Sequence, residues 1–296
     1  MSITPNESYP ALADAIGVPA LYFKREDLHP LGSHKGRSIP HMIDTHIAAT
    51  NTRHFAISSS GNAALAAGLY IQKLNTARAA DKHITLEILT GKNINSKKLE
   101  KLQALKDDYI LVSIHDRPLQ TLTVKIKQDL LIKSLRQSVD DSALVGYESL
   151  AQEIVTTPDL EAIFIGTSSG TTAQALANYF ISEKTTKKII QIHIVQTPSC
   201  HPLVETSEEN DEKSIADAIV DQIANRKAAL LPLIEKTGGA GWIVNNEAIR
   251  AAQDLTKKHT NLSISTNSAL SVAGLMSAIY TGRLYKGAVV CIIAGE

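Results

Sequence analysis

The chain has 296 residues, 44% of them hydrophobic and 20% charged, enough to bury a full core and to divide into two compact halves. Thirty Lys plus Arg balance thirty Asp plus Glu, so no net field attracts nucleic acid or an anionic membrane, and aromatics at 4% leave little for a base-stacking surface. The two cysteines, Cys200 and Cys291, are too few for a disulfide framework, no run reaches the roughly 18 to 20 apolar residues of a membrane span, and MSITPNESYPALADAIG has no basic stretch before an apolar core, so a soluble, unprocessed protein in the reducing cytoplasm is expected.

Short apolar runs rich in β-branched residues alternate with segments of helical period, which predicts an α/β fold with mostly parallel sheets covered by helices. The first strand is read at 21–24. The segment that follows it, KREDLHPLGSHKGR, turns through Pro30 and Gly32 and presents His34 and Lys35 just ahead of a helical stretch. A lysine near a helix N-terminus and beside Arg37 has its ammonium form disfavoured, and a neutral amine is what a Schiff-base nucleophile requires. Taken alone, Lys35 also reads as an ordinary solvated charge.

A strand at 54–58 runs into ISSSGNAA and a helix at 62–74. Backbone N–H groups and hydroxyls at such a helix start suit a carboxylate, and the Asn62 amide can donate to a phenolic oxygen; the competing reading is a tight turn with a serine N-cap. Strands at 84–89 and 109–113 and helices at 96–105 and 119–135 continue the alternation. The polar residues 140–142 read as an exposed connection near mid-chain.

A buried strand at 162–166 leads into IGTSSGTT and a helix at 172–182. Five hydroxyl residues and two glycines let the backbone curl its N–H groups around a phosphate, with the helix dipole behind them. The segment fits neither the Walker nor the GxGxxG pattern. A strand is read at 189–197, an exposed loop at 206–213 (TSEENDEK), helices at 214–223, 247–258 and 268–280, and a last strand at 288–294. Ten histidines form no HExxH or Cys/His cluster, so no metal site is expected, and Cys200 beside His201 reads as a loop cysteine.

In this order the segments resemble the fold type II enzymes that use pyridoxal 5'-phosphate (PLP), the tryptophan synthase β-like superfamily. YFKREDLHPLGSHKGR is similar to that family's cofactor-lysine segment, SSSGNAALAAG to its substrate-carboxylate loop and GTSSGTT to its cofactor-phosphate loop; GYESLAQEI, VQTPSCHPL, NSALSVAGL and VVCIIAGE also match. The resemblance implies two doubly wound, three-layer lobes, a smaller one at 40–143 and a larger, cofactor-binding one from 1–39 plus 144–296. It implies a Schiff base on Lys35 with His34 beside it, substrate carboxylate at Ser59, Ser60, Gly61 and Asn62, with Asn62 also facing the cofactor, and phosphate at Gly166, Thr167, Ser168, Ser169, Gly170 and Thr171. It puts Ala294 opposite the pyridine nitrogen, where family members usually carry Thr or Ser, and Gly36 where threonine synthases usually have Asp.

Within the family, REDL, SSGNAA and VQTPSCHPL lean toward threonine synthase and threonine dehydratase, GTSSGTT toward the cysteine synthase group, and His34 before the lysine toward the tryptophan synthase β subunit. The expected activity is elimination or replacement on a small hydroxy or phosphohydroxy amino acid by a homodimer. Cysteine synthase-type β-replacement and a catalytically inactive PLP-fold scaffold are the alternatives; Ala294 and the short C-terminus favour the scaffold.

Overall fold

A computed structural model describes residues 3–182, 188–205 and 212–295. Along the chain the elements are β1 (Asn6–Ser8), α1 (Pro10–Ile16), β2 (Ala20–Arg25), α2 (Lys35–Thr50), β3 (His54–Ser58), α3 (Asn62–Thr76), β4 (Thr85–Gly91), α4 (Ser96–Gln103), β5 (Ile110–His115), α5 (Pro118–Gln128), β6 (Ile132–Ser134), α6 (Ser142–Val145), α7 (Glu148–Ile154), β7 (Leu160–Gly166), α8 (Thr171–Ser182), β8 (Gln191–Gln196), α9 (Lys227–Thr237), β9 (Gly241–Ile243), α10 (Asn246–Thr260), α11 (Thr266–Tyr280) and β10 (Ala288–Ile293). Contacts divide the chain into two units, Met1–His29 with Tyr147–Glu296, and Pro30–Gly146. Residues 30–39 and 144–146, assigned to the larger lobe in the sequence reading, cluster with the second unit.

The first unit is built on a six-stranded sheet of order β1-β2-β10-β7-β8-β9, parallel except for β1 on β2. Every residue of β10 is buried, as a central parallel strand covered on both faces requires. Val289, Cys291 and Ile293 join α1, α10 and α11 in one core, and alternation turns Val290 and Ile292 to the opposite face, where α8 and α9 pack on β8. Gly274 lets α11 lie close to the sheet, since a Cβ there would stand 2.3 Å from Val195 Cγ2.

The second unit has a parallel sheet of order β5-β4-β3-β6. On one face Ile39, Met42 and Ile43 of α2 and Ala64, Ala67 and Ile71 of α3 pack with Phe55, Ile57, Leu86 and Ile88. On the other, Leu122 of α5 packs with Ala56 and Leu89. Each unit is therefore a sheet between helices, the α/β class expected from the alternation.

Two predicted helices are corrected. Residues 214–223 form turns and bends because their N–H groups find side-chain acceptors: Ile215 N donates to Asn246 Oδ1, Ala218 N to Asn267 Oδ1, and Val220 N and Asp221 N to Ser168 Oγ, at 2.9–3.0 Å. The 119–135 stretch breaks at Asp129, whose carboxylate accepts from Leu131 N, and resumes as β6 on β3. Helix α9 escaped the periodicity because Pro232 lies inside it. Asp140, expected in an exposed connection, is half-buried and accepts from Ser142 N at 2.9 Å and Ser142 Oγ at 2.7 Å. Of the loop read at 206–213, residues 206–211 lie outside the described residues.

Candidate active site

In the second unit Lys35 is the first residue of α2, at the end of a turn that Gly32 enters with φ +84°. Ser33 is fully buried, and its Oγ accepts from Lys35 N at 3.2 Å, fixing the start of the helix from outside it. His34 and Arg37 are buried and Lys35 half-buried, with no hydrogen bond or ion pair on Lys35 Nζ among the described residues. The turn packs on the first turn of α3, where a Cβ on Gly32 would lie 3.1 Å from Leu65 Cδ2.

Ser59, Ser60 and Gly61 lead into α3, and Asn62 is its first residue. Gly61 is the N-cap and offers no side chain, Gly61 N donates to Ser59 Oγ at 3.3 Å, and the N–H groups of Asn62 and Ala63 have no acceptor among the described residues. A 15-residue helix that starts with open N–H groups is a place for an anion such as a carboxylate. The second unit thus holds the Lys35 amine and the Ser59 to Asn62 segment on adjoining turns.

In the first unit β7 ends at Gly166 and the chain passes through Thr167, Ser168, Ser169 and Gly170 into α8, whose first residue is Thr171. Gly170 adopts φ +80°, which favours glycine, and a Cβ on it would lie 2.6 Å from Leu230 Cδ2, so a side chain would also have to displace Leu230. Gly166 is equally confined, with Leu270 Cβ 2.8 Å from an added Cβ. Thr167 Oγ1 accepts from Gly170 N at 3.0 Å and holds the loop curled. The N–H groups of Ser168, Ser169, Thr171 and Thr172 have no acceptor among the described residues, and all four precede or open a helix. Open N–H groups so arranged suit an anion.

Two supports of the loop were not anticipated from the sequence. Buried Gln196, at the end of β8, donates from Nε2 to Thr167 O and Ser168 O, both at 3.1 Å, and accepts from Leu203 N at 2.9 Å. Ser168 Oγ faces the protein and caps Val220 N and Asp221 N.

Ala294 follows β10 and is buried, and its methyl side chain has no hydrogen-bonding atom. Gly295, at φ +101°, is tied to α11: its N donates to Ser268 Oγ at 3.2 Å and its O accepts from Ser265 Oγ at 2.7 Å. Cys200 is no nucleophile in this setting. Burial and the neighbouring Asp221 push its thiol up to about 11, and Sγ donates to Asp221 O at 3.2 Å. Among the described residues no group of three or more His, Cys, Asp or Glu could hold a metal ion, and no helix is long and apolar enough to cross a membrane.

Residues 2–295 match the family described as pyridoxal-phosphate dependent enzyme. The chain belongs to that family. Among its relatives, threonine synthase of Mycobacterium leprae is 25% identical over 303 residues, covering 99% of this chain and 81% of the relative. Among solved structures, a pyridoxal 5'-phosphate-dependent aspartate racemase superposes with a TM-score of 0.80 at 20% identity, covering 99% of this chain and 90% of the other. The processed form of threonine deaminase isoform 2 from Solanum lycopersicum gives 0.75 at 22% identity, covering 99% and 79%. As a member of a PLP-dependent family the chain takes PLP as its cofactor, and the open N–H groups around Ser168 and Ser169 suit that cofactor's phosphate.

Proposed function

We propose that this chain is a PLP-dependent lyase or synthase that acts on a small amino acid carrying a hydroxyl or phosphorylated hydroxyl, by elimination or replacement. The observation that carries the reading is the half-buried Lys35 amine, without a partner among the described residues, one packed turn away from a helix start at Gly61 that has no side-chain cap, in a chain with open N–H groups at the start of α8. The similarity to threonine synthase and threonine deaminase supports the substrate class.

When bound, the cofactor supplies an electron sink for charge developing at the α-carbon of an amino acid. Lys35 Nζ is the attachment point for its aldehyde and the proton carrier to and from that α-carbon. The N–H groups at Asn62 and Ala63, with the hydroxyls of Ser59 and Ser60, hold the substrate carboxylate and so fix which α-substituent Lys35 can reach. Residues 166–171 hold the phosphate by main-chain N–H groups, with His34 next to the anchoring lysine. Ala294 gives the pyridine nitrogen no side-chain partner, which favours weaker retention of the cofactor and is the one feature that supports an inactive scaffold.

Two free, buried cysteines accord with a cytoplasmic setting, and a homodimer is the expected assembly. Borohydride reduction of the PLP-loaded protein followed by peptide mapping tests the central assignment. A pyridoxyl label on Lys35, lost in Lys35→Ala, is expected. A label on another lysine, or none, overturns it.

A further inference from the structure

The first turn of α2 lacks one of its own hydrogen bonds. Pro40 lies inside the helix and has no N–H to give to the carbonyl of Gly36, the residue after Lys35. The turn is braced from the far end of the same unit. Ser38 Oγ donates to Ala143 O at 2.8 Å in a buried contact, and further along His46 Nε2 stands 2.7 Å from Asp140 Oδ2. Between them Gly146 lies against the helix backbone itself: a Cβ on Gly146 would stand 2.5 Å from Ser38 Cα, 2.9 Å from Arg37 O and 3.1 Å from His41 Cβ.

Backbone freedom does not explain this glycine. Its φ of −59° and ψ of −23° are helical and open to any residue. The close approach alone excludes a side chain. Carbon atoms in contact settle at about 3.5–4.0 Å, so a methyl group at 146 would have to push the first turn of α2 away by about 1 Å. The atoms it meets first are main chain, which cannot swing aside as a flexible side chain would, and they lie one helical turn from Lys35.

We infer that Gly146 is a positioning residue for Lys35, the point where the 140–146 segment sets the place of the amine. The inference rests on the reading that Lys35 carries the cofactor link. A misplacement of about 1 Å is enough to cost on the order of a hundredfold in a reaction that needs aligned groups. The atoms nearest a Cβ on Gly146 belong to the first turn of α2, which carries the amine, so its loss should act on covalent attachment more than on phosphate binding.

The experiment compares wild type with Gly146→Ala by two measurements, the fraction of bound PLP that borohydride fixes on Lys35, and the affinity for pyridoxamine 5'-phosphate, which binds without forming that link. Circular dichroism confirms folding. The expected result is a drop of at least tenfold in fixation with pyridoxamine phosphate affinity kept within about twofold. Fixation within twofold of wild type, or an equal fall in both measurements, overturns the inference. If Gly146→Ala does not fold, Ser38→Ala is read instead, since it removes the Ala143 contact without adding bulk; a selective loss of fixation supports the inference and an unchanged ratio overturns it. Failure of wild type itself to fix PLP on Lys35 counts against the underlying functional reading instead.

Discussion

Gln196 Nε2 donates to Thr167 O at 3.1 Å, and through that contact and its twin to Ser168 O one buried amide sets the curl of the loop ahead of α8. Replacing Gln196 by Leu strands two carbonyls and the Leu203 N–H, each unsatisfied buried group costing about 1–3 kcal/mol. The expected outcome is a lower melting temperature and PLP affinity reduced by roughly tenfold or more, in line with that magnitude. Pyridoxal, which lacks the phosphate, should lose much less, and equilibrium dialysis with both compounds checks it.

Within the loop the glycines should matter more than most hydroxyls. Gly170→Val meets both the positive φ and Leu230, whereas Thr171→Val keeps the N–H groups and loses only the contact of Thr171 Oγ1 with Ser169 Oγ. Gly170→Val should weaken PLP binding at least tenfold more than Thr171→Val, on the scale of a strained backbone position of about 1–3 kcal/mol. Ser168→Ala is the exception among the hydroxyls, because it releases Val220 N and Asp221 N. Equal effects of the valine substitutions on fluorescence-monitored PLP titrations would count against a main-chain nest.

A buried imidazole in the first unit sets an acid limit on stability. His193 is fully buried, stacked on Phe164, and its Nδ1 accepts from Ala240 N at 3.1 Å and Trp242 Nε1 at 3.2 Å. Burial and then Arg283 push its pKa down from 6.5 to about 3. The folded ring stays neutral while the unfolded one takes up a proton below 6.5, so its stabilising contribution is complete above pH 6.5 and is lost as pH falls from there toward 3. Denaturant melts at pH 7.5, 6.0 and 5.0 should show a decline of up to about 1.4 kcal/mol per pH unit in the lower range. His193→Gln should be less stable at neutral pH and lose most of that slope.

Legibility in the sequence followed how local the determining forces are. Strand β10 stood out because a strand covered on both faces must be apolar at every position, and the loops at Lys35, Ser59 and Ser168 stood out because each is a small or polar turn between a strand and a helix. The 214–223 segment misled because its apolar spacing is helical while its hydrogen-bond partners, Ser168, Asn246 and Asn267, are remote in the chain. Gln196 was hidden for the same reason. Gly146 could be matched as a motif position, but its need to be glycine arises only from the approach of Ser38 and Arg37.

The reaction class is the remaining prediction. If Ser59 to Asn62 hold the substrate carboxylate as proposed, they would accept any amino acid, so discrimination would fall to the side-chain pocket, and a chain with one Trp and four Phe has little from which to line an aromatic one. Serine, threonine and O-phosphohomoserine should therefore perturb the visible band of the PLP-loaded protein more than tryptophan does. Assays for keto acid, inorganic phosphate and threonine then divide elimination from replacement by water. Turnover confined to O-acetylserine with sulfide would move the chain to β-replacement by a thiol. Spectral silence toward all five compounds, with Lys35 still labelled by borohydride, would mark a protein that holds PLP without catalysis, as the bare methyl of Ala294 would favour.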